Sequence, residues 1–147
     1  MEKLKPYLQP LSQPTLASAA LLILRLVAGA AFAIHGWGKI KTPFSWVPPD
    51  APMAIPAVFQ GLAALSEFGG GLAWILGLLT PLASLGMACT MAVAVYLHAV
   101  VFGDPFINPT GGGAYELPLL FFAISLVLLT VGPGKFSVDA KAFGERK

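Results

Sequence analysis

Among the polar side chains in or beside the apolar stretches of this chain are Arg25, His35, Lys39, Gln60, Glu67, His98 and Glu116. Their types suit proton exchange with a small polar molecule. Imidazole titrates near neutrality, a carboxylate relays protons, and both hydrogen-bond to the oxygens of a head group. His98, Glu116 and His35 are therefore the candidate catalytic groups, and Arg25, Lys39, Glu67 and Gln60 the candidate substrate-binding groups. Met87, Met91 and His98 share a helix face, a pattern that core packing explains better than a soft metal. The single cysteine, Cys89, lies in an apolar segment and permits no intrachain disulfide, cysteine metal motif or haem attachment. No metal is expected.

The elements that must position these groups follow from hydropathy. With 147 residues, 56% hydrophobic and 11% charged, and a mean hydropathy of +0.77, the chain cannot build an ordinary soluble surface. A membrane helix needs about 20 mostly apolar residues. Four such segments are present, at about 16–38, 56–79, 81–102 and 115–132. The expected fold is an all-α membrane protein, a bundle of four transmembrane helices in a single domain. A proline-rich arm (1–15) precedes it and a basic tail (133–147) follows. Arg25 interrupts the first segment, which argues for a retained helix over a cleaved signal. Lys3 and Lys5 before it, and Lys135, Lys141, Arg146 and Lys147 after the fourth, place both termini in the cytoplasm by the positive-inside rule. The 39–55 and 103–114 loops then face outward. Thr80 and Pro81 open the third helix, so the second and third form a tight hairpin. Phe44 and Trp46, in the proline-rich first loop, are expected at headgroup level, where that loop could act as a lid.

Depth decides which groups could meet. Arg25 lies about 15 Å along the first helix from His35, and Glu67 about 16 Å from Pro56 on the antiparallel second helix. Both positions are near mid-membrane, where an isolated charge costs about 2.5–3.5 kcal/mol, so Arg25 and Glu67 are expected to pair. Gln60, Glu67 and Trp74 recur every seven residues on one helix face beside Gly70 and Gly71. Arg25, Phe32, His35 and Lys39 fall within an arc of about 80°. The expected result is one cavity, with His35, His98 and Glu116 at its outer mouth beneath the first loop and Arg25 and Glu67 at its inner end. Each group also has a plainer role: an ion pair that sets helix register, a helix-terminal carboxylate at Glu116, or lysines that snorkel at the interface. Two histidines at similar depth are also the minimum for a bis-imidazole haem site, though no haem, flavin or metal is expected. A carrier would require dimerisation.

Five stretches now bear a resemblance. RLVAGAAFAIHGWGKI, LSEFGGGLAWILGLLTPLAS, His98, GGGAYELPLL and GPGKFSVD, in this order from about Leu21 to Ala140, resemble the DoxX family of four-helix bacterial membrane proteins. Arg25, His35, Gly36, Lys39, Glu67, Gly70, Gly71, His98 and Glu116 match its motif positions. The resemblance implies a bundle in the bacterial inner membrane and an association with membrane redox chemistry, including the membrane subunit of thiosulfate:quinone oxidoreductase. No thiosulfate-site cysteine is present, so that reaction itself is not implied. The implied cofactor is a quinone, bound through the groups named above. Membrane lipid, a partner redox protein or larger membrane complex, and a second copy of the chain are the expected partners, and nucleic acid is not. The rival reading is a non-catalytic structural or accessory subunit.

Overall fold

The computed structural model describes residues 8–146, so Lys3, Lys5 and Lys147 lie outside the described residues. Helix α1 is Thr15–Lys41. It runs past 38 because Lys39 and Lys41 occupy its last turn, where cations favour the negative end of the helix dipole. Helix α2 covers 57–76 in three parts: Ala57–Ala64, a π-helical turn Leu65–Gly69, and Gly70–Leu76. It stops at Leu76 because Gly77 takes the left-handed conformation (φ 64°), the usual glycine role at a helix end. Helix α3 begins at Thr80 after Leu79, itself left-handed at φ 47°, and its last turn, Leu97–Val101, is again π-helical. Helix α4 is Glu116–Val131, and a short α5, Val138–Phe143, follows with Ser137 as its N-cap. Among the described residues there is no strand, only an isolated bridge between Leu11 and Arg146.

The polarity of the molecule is inverted relative to a water-soluble protein. Leu16 is 84% exposed and Ile34 77%, whereas Arg25 is fully buried, as are Ser18, Thr80, Ser84, Ser125 and Asp139. An apolar exterior around polar interior groups is what a hydrocarbon solvent selects. Thr15–Lys41 and Thr80–Val101 are each long and apolar enough to cross a membrane. At 1.5 Å per residue, 57–76 spans about 30 Å, the thickness of a bilayer core.

Helices α1 and α2 pack backbone to backbone. A Cβ on Gly36 would lie 2.5 Å from Phe68 N, and one on Gly71 would lie 2.6 Å from Ala33 N. Without side chains at these points the backbones approach closely, as small residues allow in membrane interfaces. This contact sets the register of the two helices. The core beyond it is Leu21, Ala28, Phe32, Trp74, Met87, Met91 and Leu128, so Met87 and Met91 pack among apolar side chains. Phe32 meets Trp74 edge-on at 5.7 Å and Phe121 of α4 at 4.6 Å. The indole of Trp74 donates to Ser84 Oγ at 2.9 Å. The proline-rich arm is pinned rather than free over its described part: Ser12 N donates to Arg146 O and Arg146 N to Pro10 O, each at 2.9 Å.

Candidate functional site

The end of the bundle that carries the 42–55 loop holds a closed polar cluster. The π-helical turn inserts one extra residue per turn into α2, and such bulges recur at functional sites. Glu67 sits on it, 2% exposed. Its Oε1 accepts from Lys39 Nζ at 2.7 Å. The Lys39 ammonium lies 4.5 Å from the centre of the Trp46 ring, a cation–π arrangement. Trp46 is held in turn, donating from Nε1 to Gln60 O at 2.9 Å. The Gln60 amide ties the middle of the loop to its far end: its Oε1 accepts from Val47 N at 3.0 Å and its Nε2 donates to Ile55 O at 2.8 Å. Three of the four expected binding residues, Lys39, Glu67 and Gln60, are thus brought together, with Gln60 holding the loop. Trp46 turns inward as a roof, while Phe44 remains 63% exposed. Glu67 Oε2 is buried without a hydrogen-bond partner among the described residues.

The expected pair of Arg25 with Glu67 does not form. Gly36 packs on Phe68 and Gly71 on Ala33, so Glu67 lies level with the last turns of α1, where Lys39 reaches it. Arg25 instead meets the far end of α2, about 15 Å away along the helix axis. Its Nε donates to Trp74 O (2.9 Å), Nη1 to Pro133 O (2.6 Å), and Nη2 to Phe136 O (3.0 Å) and Ile75 O (3.4 Å). The planar guanidinium fork suits several carbonyls at once. Beside it, Asp139 Oδ1 and Oδ2 accept from Leu79 N (2.7 Å) and Thr80 N (2.9 Å), capping the start of α3. Asp139 N donates to Gly77 O at 2.9 Å. Arg25 and Asp139 together clamp the segment after α4 onto the α2–α3 hairpin.

His98, on the second π-helical turn, holds Asp104: His98 Nδ1 and Asp104 Oδ2 are 2.7 Å apart, with the His98 side chain 34% exposed. Asp104 N also donates to His98 O at 2.8 Å. Glu116 opens α4, half-buried, its own N–H bonded to Phe106 O at 3.1 Å. His35 is exposed on α1. Among the described residues no hydrogen bond or ion pair joins His35, His98 and Glu116. Two open apolar grooves, about 420 and 260 Å³, are lined by Gln13, Ala17, Ala20, Leu21, Leu24 and Val131 and by Ala33, Ile34 and Trp37. Neither contains the three groups expected at a common mouth.

Asp104, Asp139 and the inward turn of Trp46 escaped the sequence reading. Ser137 and Asp139 carried a signal, an N-cap serine followed by a first-turn acid. Asp104 carried none, because its partner is set by the path of the 102–115 loop. No group of three or more potential metal ligands occurs among the described residues.

A family model described as DoxX matches residues 20–100. Arg25, His35, Lys39, Gln60, Glu67 and His98 lie inside the matched stretch, and Glu116 and Asp139 outside it. The chain is also similar to the inner membrane protein YqjF of Escherichia coli (strain K12), at 30% identity over 124 residues, covering 84% of this chain and 92% of that protein. No solved structure matches the chain.

Proposed function

The chain belongs to the DoxX family of membrane proteins, and from that premise we propose that it is a membrane subunit of a redox system, holding the head of a quinone or similar small molecule beneath the 42–55 loop. It crosses the bacterial inner membrane four times with both termini in the cytoplasm and the loop end facing outward. Supporting this orientation, Lys135, Lys141 and Arg146 cluster beyond α4. The observation that carries the reading is the orphaned Glu67 Oε2 beside a lysine. A buried acceptor without a partner is costly, and a head group that supplies one would remove that cost. The residues present fit the head of a quinone–quinol couple, Lys39 as a donor to a head oxygen and Glu67 as an acceptor from a hydroxyl, and such a head would take up two electrons and two protons on reduction. With a head group bound, Lys39 would donate to one head oxygen, Glu67 Oε2 would accept the hydrogen bond of a hydroxyl, and Trp46 would keep water away. His98, oriented by Asp104, and Glu116 exchange protons with the outer solution, with His35 at the same end. The groove along Ala33, Ile34 and Trp37 receives an apolar tail. Electrons come from a partner redox protein, because the sequence carries no flavin or iron–sulfur motif.

The test is extraction of the protein with its native lipid belt and analysis of what it retains. An isoprenoid quinone in stoichiometric amount, lost in Glu67→Ala, is the expected result. Bulk phospholipid alone, in both proteins, overturns the reading. A second reading, a structural or accessory subunit of a larger membrane complex, draws on the clamp of Arg25 and Asp139, which engages backbone only. Double substitution of His98 and Glu116 that leaves the activity of the complex intact would favour it.

A further inference from the structure

We propose that this site distinguishes the redox state of its ligand, holding a hydroxylated, reduced head (a quinol or related phenol) more tightly than the oxidised carbonyl form. The inference rests on the reading of the site above and adds the chemical form that it selects. Glu67 makes a 2.7 Å ion pair through Oε1 with Lys39 Nζ, and an ionised carboxylate has acceptor capacity only. The free acceptor, Oε2, is buried with no partner among the described residues, so the group that completes it must bring a proton of its own. A phenolic hydroxyl does this in a short, charge-assisted bond. A quinone carbonyl cannot, and would set its lone pairs against those of Oε2.

Lys39 does not cancel the distinction. Its ammonium can donate to either form, yet with the oxidised head Oε2 stays unpartnered, whereas with the reduced head both carboxylate oxygens are satisfied. Binding at Oε2 requires Trp46 to lift from the ammonium and opens along the edge formed by Lys39, whose side chain is 19% exposed against 3% for Glu67. A tenfold preference for the reduced form would raise the two-electron potential of the bound couple by about 30 mV. The site then draws electrons toward its ligand, the direction needed by a subunit that receives them from a partner.

The experiment compares three probes against the full-length protein in lipid nanodiscs: a short-tailed benzoquinol kept reduced without oxygen, the matching benzoquinone, and the dimethyl ether of the quinol. The quinol is expected to bind about tenfold more tightly than either of the others, the effect of one charge-assisted bond. In Glu67→Gln, whose amide offers both a donor and an acceptor, the ratio should fall to near one. Equal binding of all three to the unsubstituted protein overturns the inference and leaves the binding site standing. Binding of none removes the site itself, and the inference with it. Should Glu67→Gln not fold, the ratio of quinol to quinone in the unsubstituted protein decides, because the two share ring and tail and only the quinol carries the hydroxyl hydrogens that Oε2 requires, whereas the ether also adds two methyl groups.

Discussion

Glu67 and Lys39 are unequal partners, and the inequality is measurable. The carboxylate is enclosed, while the lysine stem ends at a partly open edge from which its ammonium can swing to the interface. Lys39→Leu therefore leaves a buried, uncompensated anion and should cost about 3 kcal/mol. Glu67→Leu leaves a cation that can leave, and should cost about 1 kcal/mol. The double substitution should cost less than the sum, a coupling that a double-mutant cycle on unfolding in detergent will show. Arg25→Leu combined with Glu67→Leu should instead be additive within about 0.5 kcal/mol, since they share no partner. Coupling of that second pair would contradict the placement of Arg25 among backbone carbonyls.

Among the elements, the α1–α2 contact carries the site, because it brings Lys39 level with Glu67. Gly36 and Gly38 stand two residues apart on α1 in opposite circumstances. A Cβ at Gly36 meets backbone atoms of Phe68 and Glu67, whereas one at Gly38 meets nothing within 4 Å. Gly36→Ala must push the helices apart and should destabilise by about 1–3 kcal/mol, the cost of overpacking. Gly38→Ala should stabilise by about 0.5–1 kcal/mol through helix propensity. Thermal unfolding of the two variants in the same detergent reads both signs. The two π-helical turns are a second matter of elements: each bears one of the expected ionisable residues, Glu67 or His98, and each re-aims its side chain relative to an unbroken α-helix.

On the scale of the whole molecule, the proposed crossing places the 42–55 and 102–115 loops on one side and both termini on the other. Cys89 is exposed on α3 and must first be replaced by serine. In that background Ser45→Cys and Thr110→Cys should react with a membrane-impermeant maleimide added to intact cells, and Glu145→Cys only after lysis. Labelling of Glu145→Cys in intact cells would reverse the orientation. In the proposed orientation the interlocked terminal segments, in which Gln9 Nε2 donates to Phe143 O at 2.8 Å, close the cytoplasmic face of the bundle.

Sequence alone determined that the chain is helical and belongs in a membrane, because apolar runs near bilayer length leave no soluble alternative. It also singled out Lys39, Gln60 and Glu67, since polar groups beside such runs are rare and expensive. Which of them meet was decided only by tertiary structure. Counting residues from helix ends put Arg25 and Glu67 at one depth, but the register of α1 on α2 comes from glycine contacts at Gly36 and Gly71, which no single-helix count contains. The π-helical turns, the inward rotation of Trp46 and the His98–Asp104 pair arise likewise from packing and loop paths. These are contacts between residues far apart in the chain, and a periodic pattern within one helix carries no record of them.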